Sequence, residues 1–186
     1  IHAAGGELRV QGGDALSLAF ARRVAALRAN DAPALVATAW VAHGAGNTDE
    51  AVDMMLRVID VDDSNFEALN YVGYTWADAS VRLDEAEAML RQAVALRPND
   101  GNILDSLAWA LYRLERYDEA LEVQRRALLL EDANAVVWDH LGDIYAALGR
   151  LAEAVTAWEN ALLFVDTDEE NVAERVPPKL ERARAA

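Results

Sequence analysis

Few side chains in this sequence could do chemistry, and the three histidines, His2, His43 and His140, are the first candidates. No two of them stand in an H-E-x-x-H motif or at another helical ligand spacing, so they do not form a zinc site of that kind. Cysteine is absent, which excludes a thiol nucleophile, a disulfide framework and a Cys-ligated metal. We interpret His140 as a histidine inside a helix whose ring is satisfied by a neighbour.

Two acidic segments begin like calcium loops, but neither completes the pattern. In 60–65 the glycine position holds asparagine, and the later position of the bidentate glutamate holds tyrosine. The segment 166–170 fails in the same way, with proline in the last position. Gly44-Ala45-Gly46 is too short for a dinucleotide fingerprint, Ser106 has no identifiable base, and no raised-pKa acid faces a base across a cleft. The sequence therefore predicts no enzyme, no metal site and no cofactor.

Composition and charge limit the classes of partner. The chain has 186 residues, 53% of them hydrophobic, which is enough for a core and argues against intrinsic disorder. No run approaches 18 consecutive apolar residues, so no membrane span is predicted. The formal net charge is −15, and residues 1–65, 66–134 and 135–186 are net negative by 4, 6 and 5. Without a basic stripe, nucleic acid and anionic membranes are unfavourable partners, and basic or neutral partners are favoured.

A repeated spacing organises most of the sequence. The segment 138–145 reads W-x-x-L-G-x-x-Y and is followed by Gly149, Ala154, Trp158 and Ala161, which resembles the 34-residue tetratricopeptide repeat. Moving the frame back places similar residues in the same positions, with one extra residue near 80–82. The predicted repeats are 32–65, 66–100, 101–134 and 135–168. The resemblance implies an all-α fold, a right-handed α-solenoid of stacked antiparallel helix pairs.

Helix packing explains the spacing. Each repeat is expected to form two helices, and small residues let the paired helices approach closely while larger ones fill the space between pairs. The small positions are Ala39, Gly73, Ala108 and Gly142 in the first helices and Ala51, Ala86, Ala120 and Ala154 in the second. Thr38 and Gln124 occupy positions that are usually apolar, so repeats 1 and 3 are expected to be looser there.

The flanking segments are less regular. Residues 1–31 are expected to form an irregular, Gly-rich start and a helix from Asp14 to Arg28, which we interpret as the second helix of an incomplete repeat. We expect the numbering to start inside a longer protein, since Ile1 is not a methionine and no signal peptide is present. Residues 169–186 are expected to cap the last pair, as a helix that Pro177-Pro178 interrupts.

A narrower resemblance covers about residues 66–165. The segments 68–78, 102–114 and 140–143 are similar to a family of bacterial tetratricopeptide repeat adaptors and lipoproteins. That resemblance implies an adaptor that holds partner proteins, and some members resemble activators of periplasmic carboxy-terminal processing proteases. It leaves the compartment open between the periplasm, an outer-membrane anchor and the cytoplasm.

The concave face of such a superhelix is lined by the first helices. We expect the partner-binding groove to consist of Trp40, His43, Asn70, Tyr74, Asp78, Asn102, Asp105, Trp109, Tyr112, Arg113, Asp139 and Asp143. Aromatic anchors would supply buried area, and the carboxylates would accept Lys, Arg or backbone N–H groups. Because Arg113 is the lone cation of this set, a chaperone-type clamp on a terminal carboxylate is not expected.

Two alternatives remain at this point. Trp40, Trp109 and Tyr112 could instead pack against neighbouring repeats, whereas Trp76, Trp138 and Trp158 fall in core positions. The main hypothesis is a non-catalytic scaffold that binds an apolar and basic protein segment in the groove. The alternative is a homo-oligomer that stacks end to end through its terminal helices.

Overall fold

A computed structural model describes residues 14–165 and 170–185, and all regular structure in these residues is helical. The predictions for residues 1–13 and for the acidic segment 166–169 lie outside the described residues. The helices are α1 (Asp14–Leu27), α2 (Ala32–Gly44), α3 (Thr48–Val61), α4 (Phe66–Asp78), α5 (Leu83–Leu96), α6 (Gly101–Arg113), α7 (Tyr117–Leu128), α8 (Ala135–Ala147), α9 (Leu151–Leu163) and α10 (Glu170–Ala185).

The helices pair in chain order. The hairpins are α2/α3, α4/α5, α6/α7 and α8/α9, and each second helix also contacts the first helix of the next pair. In addition, α4 contacts α6, and α6 contacts α8, so the first helices lie side by side along the stack. Helix α1 contacts α2 at one end, and α10 contacts α9 and α8 at the other. This stack confirms the predicted all-α helical-repeat fold.

Each first helix of the four pairs begins with the same device. The side chains of Asp31, Asn65, Asp100 and Asn134 precede α2, α4, α6 and α8 and accept hydrogen bonds from backbone amides of the first turn. Such a cap stabilises a helix by about 1 kcal/mol. The four caps stand 34, 35 and 34 residues apart, so the cap residues recur with the same period as the apolar positions.

The turn inside each pair requires a left-handed residue. Gly46, Glu115 and Gly149 adopt φ of 77°, 60° and 73°, and the amide of the following residue closes each turn on a carbonyl oxygen of the preceding helix. In the second pair Ser80 and Arg82 both have positive φ. The extra residue expected near 80–82 lies in this turn, where it leaves the helix packing in register.

Small residues bring the paired helices into contact. A Cβ on Gly73 would lie 2.6 Å from Leu90 Cγ, and one on Gly142 would lie 2.4 Å from the Trp158 ring. Non-bonded heavy atoms do not approach so closely, so a side chain at either position would have to push the paired helices apart. Glycine at positions 73 and 142 is therefore a steric requirement of the fold.

The predicted break at Pro177-Pro178 is wrong, because α10 is continuous through both prolines. A proline inside a helix costs about 3 kcal/mol, since it removes a hydrogen bond and crowds the preceding turn. Burial of Val172, Val176 and Leu180 against the last pair offsets that cost. Both prolines are exposed, so their rings are accommodated on the solvent side of the helix.

Candidate functional site: the inner face of the first helices

Side chains of successive first helices meet on one side of the stack, which we call the inner face. Trp40 of α2 reaches α4, Trp109 of α6 reaches back to Asp78 of α4, and Asp139 of α8 reaches Arg175 of α10. Contacts of this kind join residues about one repeat apart. The structure therefore brings predicted groove residues from different repeats together.

At the N-terminal end of the inner face lies an aromatic cluster of Trp40, His43 and Tyr71, with Glu67 beside it. The three rings are mutually edge-on, with centroid distances of 5.4–5.7 Å and interplanar angles of 80–89°. Trp40 Nε1 donates to Glu67 at 2.6 Å, and His43 Nδ1 lies 3.0 Å from the Tyr71 hydroxyl. Trp40 remains 44% exposed, so the cluster is ordered by its own contacts and still open to solvent.

In the middle of the inner face Trp109 is packed rather than open. Its ring stacks on Tyr112 at 4.9 Å and on His140 at 4.2 Å, in both cases 14° from parallel. Its indole N–H donates to Asp78 at 3.2 Å, and Arg113 lies over the ring. With 8% exposure, Trp109 matches the alternative that it packs against the neighbouring repeat, whereas Tyr112 keeps a half-buried position.

Asp105 was expected to face the groove, but it is buried in a polar cluster. It accepts hydrogen bonds from Gln124 Nε2 at 2.5 Å and from His140 Nδ1 at 3.0 Å. Gln124 also donates to the Val137 carbonyl oxygen at 2.8 Å, which joins α7 to α8. A buried carboxylate needs such donors, and this need explains why Gln124 replaces an apolar residue. His140 is 2% exposed, and Asp105 satisfies its ring.

At the C-terminal end α10 closes over the acidic residues of α8. Asp139, also expected in an open groove, is 0% exposed and pairs with Arg175 at 2.5 Å and Lys179 at 2.7 Å. Lys179 also pairs with Asp143 at 2.7 Å. Burial raises the pKa of Asp143, and the nearby ammonium of Lys179 opposes that rise. These two carboxylates are therefore paired by the chain's own cations.

Between the two ends lies Tyr74, whose hydroxyl is influenced by charged groups of several helices. Burial, reinforced by Asp78 and Asp105, raises its pKa to about 12. Asp139 of α8 raises it further and Arg175 of α10 lowers it, so charges from three other helices act on one hydroxyl. One turn earlier on α4, the buried Oδ1 of Asn70 has no hydrogen-bond partner among the described residues.

The predicted set thus divides by exposure. Trp40, His43, Asp78 and Asn102 are exposed; Asn70, Tyr74, Tyr112, Arg113 and Asp143 are half-buried; Asp105, Trp109 and Asp139 are buried. Sequence reasoning missed Glu67, Tyr71, Arg175 and Lys179. The last two stand four residues apart with apolar residues between them, a pattern of one helix face that would have predicted their role had the prolines not suggested a break.

The other sites considered in the sequence have structural roles. In the turn 60–65, Asp62 accepts from the Ser64 amide and hydroxyl, and Asn65 caps α4, so this is a polar connection between repeats. Within residues 14–165 and 170–185, no group of three or more acidic or histidine side chains is placed to hold a metal ion. Among the described helices, none has both the length and the apolarity needed to cross a bilayer.

A stack of helix pairs that presents an inner face defines the class of helical-repeat interaction proteins. A family model described as Tetratricopeptide repeat matches residues 36–101, 79–136 and 106–171. These matches extend over most of the chain, which therefore belongs to the tetratricopeptide repeat family. Proteins of this family are generally non-catalytic scaffolds for protein interactions.

Individual relatives agree with this assignment. Over 56 residues the chain is 45% identical to TPR repeat-containing protein PA4667 of Pseudomonas aeruginosa, a match that covers 30% of this chain and 10% of that protein. TTC0263, a thermophilic TPR protein of Thermus thermophilus, has a TM-score of 0.72 and 19% identity, covering 98% of this chain and 96% of that one. MamA from Desulfovibrio magneticus RS-1 has a TM-score of 0.71 and 19% identity, covering 83% and 86%. These two structures share the fold.

Proposed function

We propose that this protein is an adaptor that binds a basic, partly apolar segment of a partner protein along its inner face. The accessible part of that face runs from the aromatic cluster to Asn102 and Tyr112. Glu67 and Asp78 lie along it and form no ion pair with any described cation. Carboxylates beside aromatic rings favour cationic side chains with apolar neighbours.

The observation that best supports this proposal is the seating of α10. Its Arg175 and Lys179 bind the carboxylates of α8 while Val172, Val176 and Leu180 are buried on the same stack. The chain's own helix thus combines cations and apolar residues against a first helix. A partner segment of the same chemistry would extend this mode of recognition to the part of the inner face that α10 leaves open.

Affinity capture with matched variants tests the proposal. Tyr74→Ala and Asn102→Arg change the inner face, while Glu122→Arg changes the exposed side of α7, where the glutamate side chain is 78% exposed. We expect the two inner-face variants to lose the proteins that wild type and Glu122→Arg retain from the native host. Equal capture by all four proteins, with helical content unchanged by circular dichroism, would contradict binding on this face.

Self-assembly is the second candidate, and one observation favours it. Leu16, Phe20 and Leu27 share one face of α1 and are 77%, 73% and 77% exposed. An apolar row of this kind is typical of a packing surface. Light scattering over a range of concentrations separates the two functions, since end-to-end stacking should make the mass rise with concentration and Phe20→Glu should abolish that rise.

A place in the bacterial cell envelope is a further part of the proposal. Its support is the resemblance of residues 66–165 to bacterial adaptors, many of which are exported or lipid-anchored. Fractionation of the native host with antibody detection tests it, and recovery of the protein in the cytoplasmic fraction alone would contradict it.

A further inference from the structure

We propose that the aromatic cluster binds an arginine side chain of the partner segment. This inference rests on the proposed function and specifies what the N-terminal end of the inner face recognises. The cluster consists of Trp40, His43 and Tyr71, from two successive first helices, with the Glu67 carboxylate at its edge.

The ring geometry fits a cation. A cation is attracted to an aromatic ring when it lies over the ring face within about 6 Å of the centroid. The observed distances are 5.7 Å for Trp40 and His43, 5.4 Å for Trp40 and Tyr71, and 5.6 Å for His43 and Tyr71, with planes within about ten degrees of perpendicular. Ring centroids this close to one another allow a cation on the exposed face of Trp40 to lie within that range of a second ring.

A carboxylate completes the cluster. Glu67 Oε1 accepts from Trp40 Nε1 at 2.6 Å, which fixes the indole and places a negative charge beside it. Glu67 forms no ion pair within the described residues, whereas Asp139 on the same inner face takes both Arg175 and Lys179. A guanidinium lying on the rings would meet the Glu67 charge with its planar N–H groups, which match a carboxylate.

Elsewhere in the molecule three buried or half-buried aromatic rings lie under an arginine. Arg82 lies 4.0 Å from the Trp76 centroid, Arg97 lies 4.3 Å from that of Phe66, and Arg150 lies 4.6 Å from that of Tyr145. In the part of the chain that the structure describes, no cation lies over Trp40, although it is the most exposed of the large aromatic residues in α2–α9. Trp40 lies on the inner face, where a partner segment would supply the arginine.

Arginine is the occupant rather than lysine for a physical reason. Its guanidinium is planar and less strongly hydrated than an ammonium, so it loses less solvation when it stacks on a ring. Its N–H groups remain available at the edge of the stack for the Glu67 carboxylate. The cluster offers both features together, a ring face and a carboxylate edge.

The test uses the tripeptide acetyl-Gly-Arg-Gly-amide, with its citrulline and lysine counterparts, titrated into the full chain. The readout is the indole N–H resonance of Trp40 in ¹H–¹⁵N spectra, assigned with Trp40→Phe. We expect saturable movement with the arginine peptide, at least tenfold weaker binding of the neutral citrulline peptide, and weaker binding of the lysine peptide. Glu67→Gln should weaken arginine binding at least threefold, and Glu122→Gln, on an exposed side of α7, should leave it unchanged.

The inference would be overturned if the Trp40 resonance showed no saturable movement at tens of millimolar arginine peptide. It would also be overturned if the citrulline or lysine peptide bound as tightly as the arginine peptide, or if Glu67→Gln bound the arginine peptide as tightly as the wild type. Circular dichroism is the control for folding, and each variant should keep the helical content of the wild type. The capture experiment uses Tyr74 and Asn102, outside this cluster. If the arginine peptide does not bind but partner capture is still lost in Tyr74→Ala, only this inference is overturned. If the arginine peptide binds but the inner-face variants capture the same proteins as the wild type, only the proposed function is overturned.

Discussion

Replacing Lys179 by methionine would show how α10 is held on the end of the stack. Lys179 Nζ lies 2.7 Å from Asp139 and 2.7 Å from Asp143, and the Asp139 side chain is 1% exposed. Methionine keeps most of the apolar stem and removes the charge. The variant therefore tests the ion pairs without creating a large cavity.

The magnitude follows from burial. Removing one partner of a buried ion pair costs about 3–5 kcal/mol, because a charge is left without compensation. Asp139 keeps Arg175, and Lys179 itself is 18% exposed, so we expect the lower end, about 3 kcal/mol. Since the described contacts of α10 are with α8 and α9, the loss should fall on the local opening of α10. That free energy corresponds to about 150-fold faster opening of α10.

Native-state hydrogen exchange measures this opening helix by helix. Amides of α10 should exchange about 150-fold faster in Lys179→Met, while amides of α4 and α5 should be unchanged. The control is Arg184→Met, which removes the exposed pair with Glu159, whose side chains are 58% and 50% exposed, and should cost under about 1 kcal/mol. Exchange no faster than in the control, or acceleration spread equally over α4 and α5, would refute the reasoning.

A pH series adds a second check through Asp143. Its pKa is raised above the ordinary 3.8 by burial, and Lys179 opposes the rise, so loss of Lys179 should raise the pKa further. A raised carboxyl pKa favours the protonated form in the fold, so this contribution is present below pH 3.8 and is lost as pH rises through the folded pKa. The destabilisation by Lys179→Met should be largest at neutral pH and shrink as pH falls towards about 4.

Three further predictions concern the core and the inner face. Gly73→Ala should lower the free energy of unfolding in urea by about 1–3 kcal/mol despite the better helix propensity of alanine, because its Cβ meets Leu90. In a Leu90→Ala background Gly73→Ala should cost less, and losses that simply add in the double variant would contradict this explanation. Gln124→Leu should cost about 1–3 kcal/mol by removing a donor from buried Asp105, and unchanged thermal stability would refute it. Ultraviolet titration should find Tyr74 ionising near pH 12. The raised pKa stabilises the fold below pH 10 by about 3 kcal/mol. This stabilisation is lost between pH 10 and 12, and Tyr74→Phe should remove the pH dependence.

Local features made the fold predictable. The spacing of small and large apolar residues repeats because each helix pair must bury the same face against the next. The caps at Asp31, Asn65, Asp100 and Asn134, and the left-handed turns at Gly46 and Gly149, act within one helix turn of their own position. Such interactions depend on a few neighbouring residues, so a single sequence contains enough information to locate them.

Exposure on the inner face was less predictable. The repeat positions correctly placed Trp40 and Asp78 at exposed sites, but the same rule also selected Asp105 and Asp139, which are buried. Their donors, His140 and Arg175, lie 35 and 36 residues further along the chain. A rule that treats every repeat alike does not predict that Asp105 is bonded to a histidine or that Asp139 is covered by α10.

By itself the sequence determined the repeat, the helix boundaries near each cap and turn, and the acidic character of the molecule, because these depend on local sterics, hydrogen bonds and composition. Only the tertiary structure decided that α10 runs through Pro177 and Pro178, and that its cations occupy one end of the inner face while the rings around Trp40 stay open at the other. Those outcomes depend on whether distant burial and ion pairing outweigh a local helix-breaking cost, and that balance exists only once the helices have stacked.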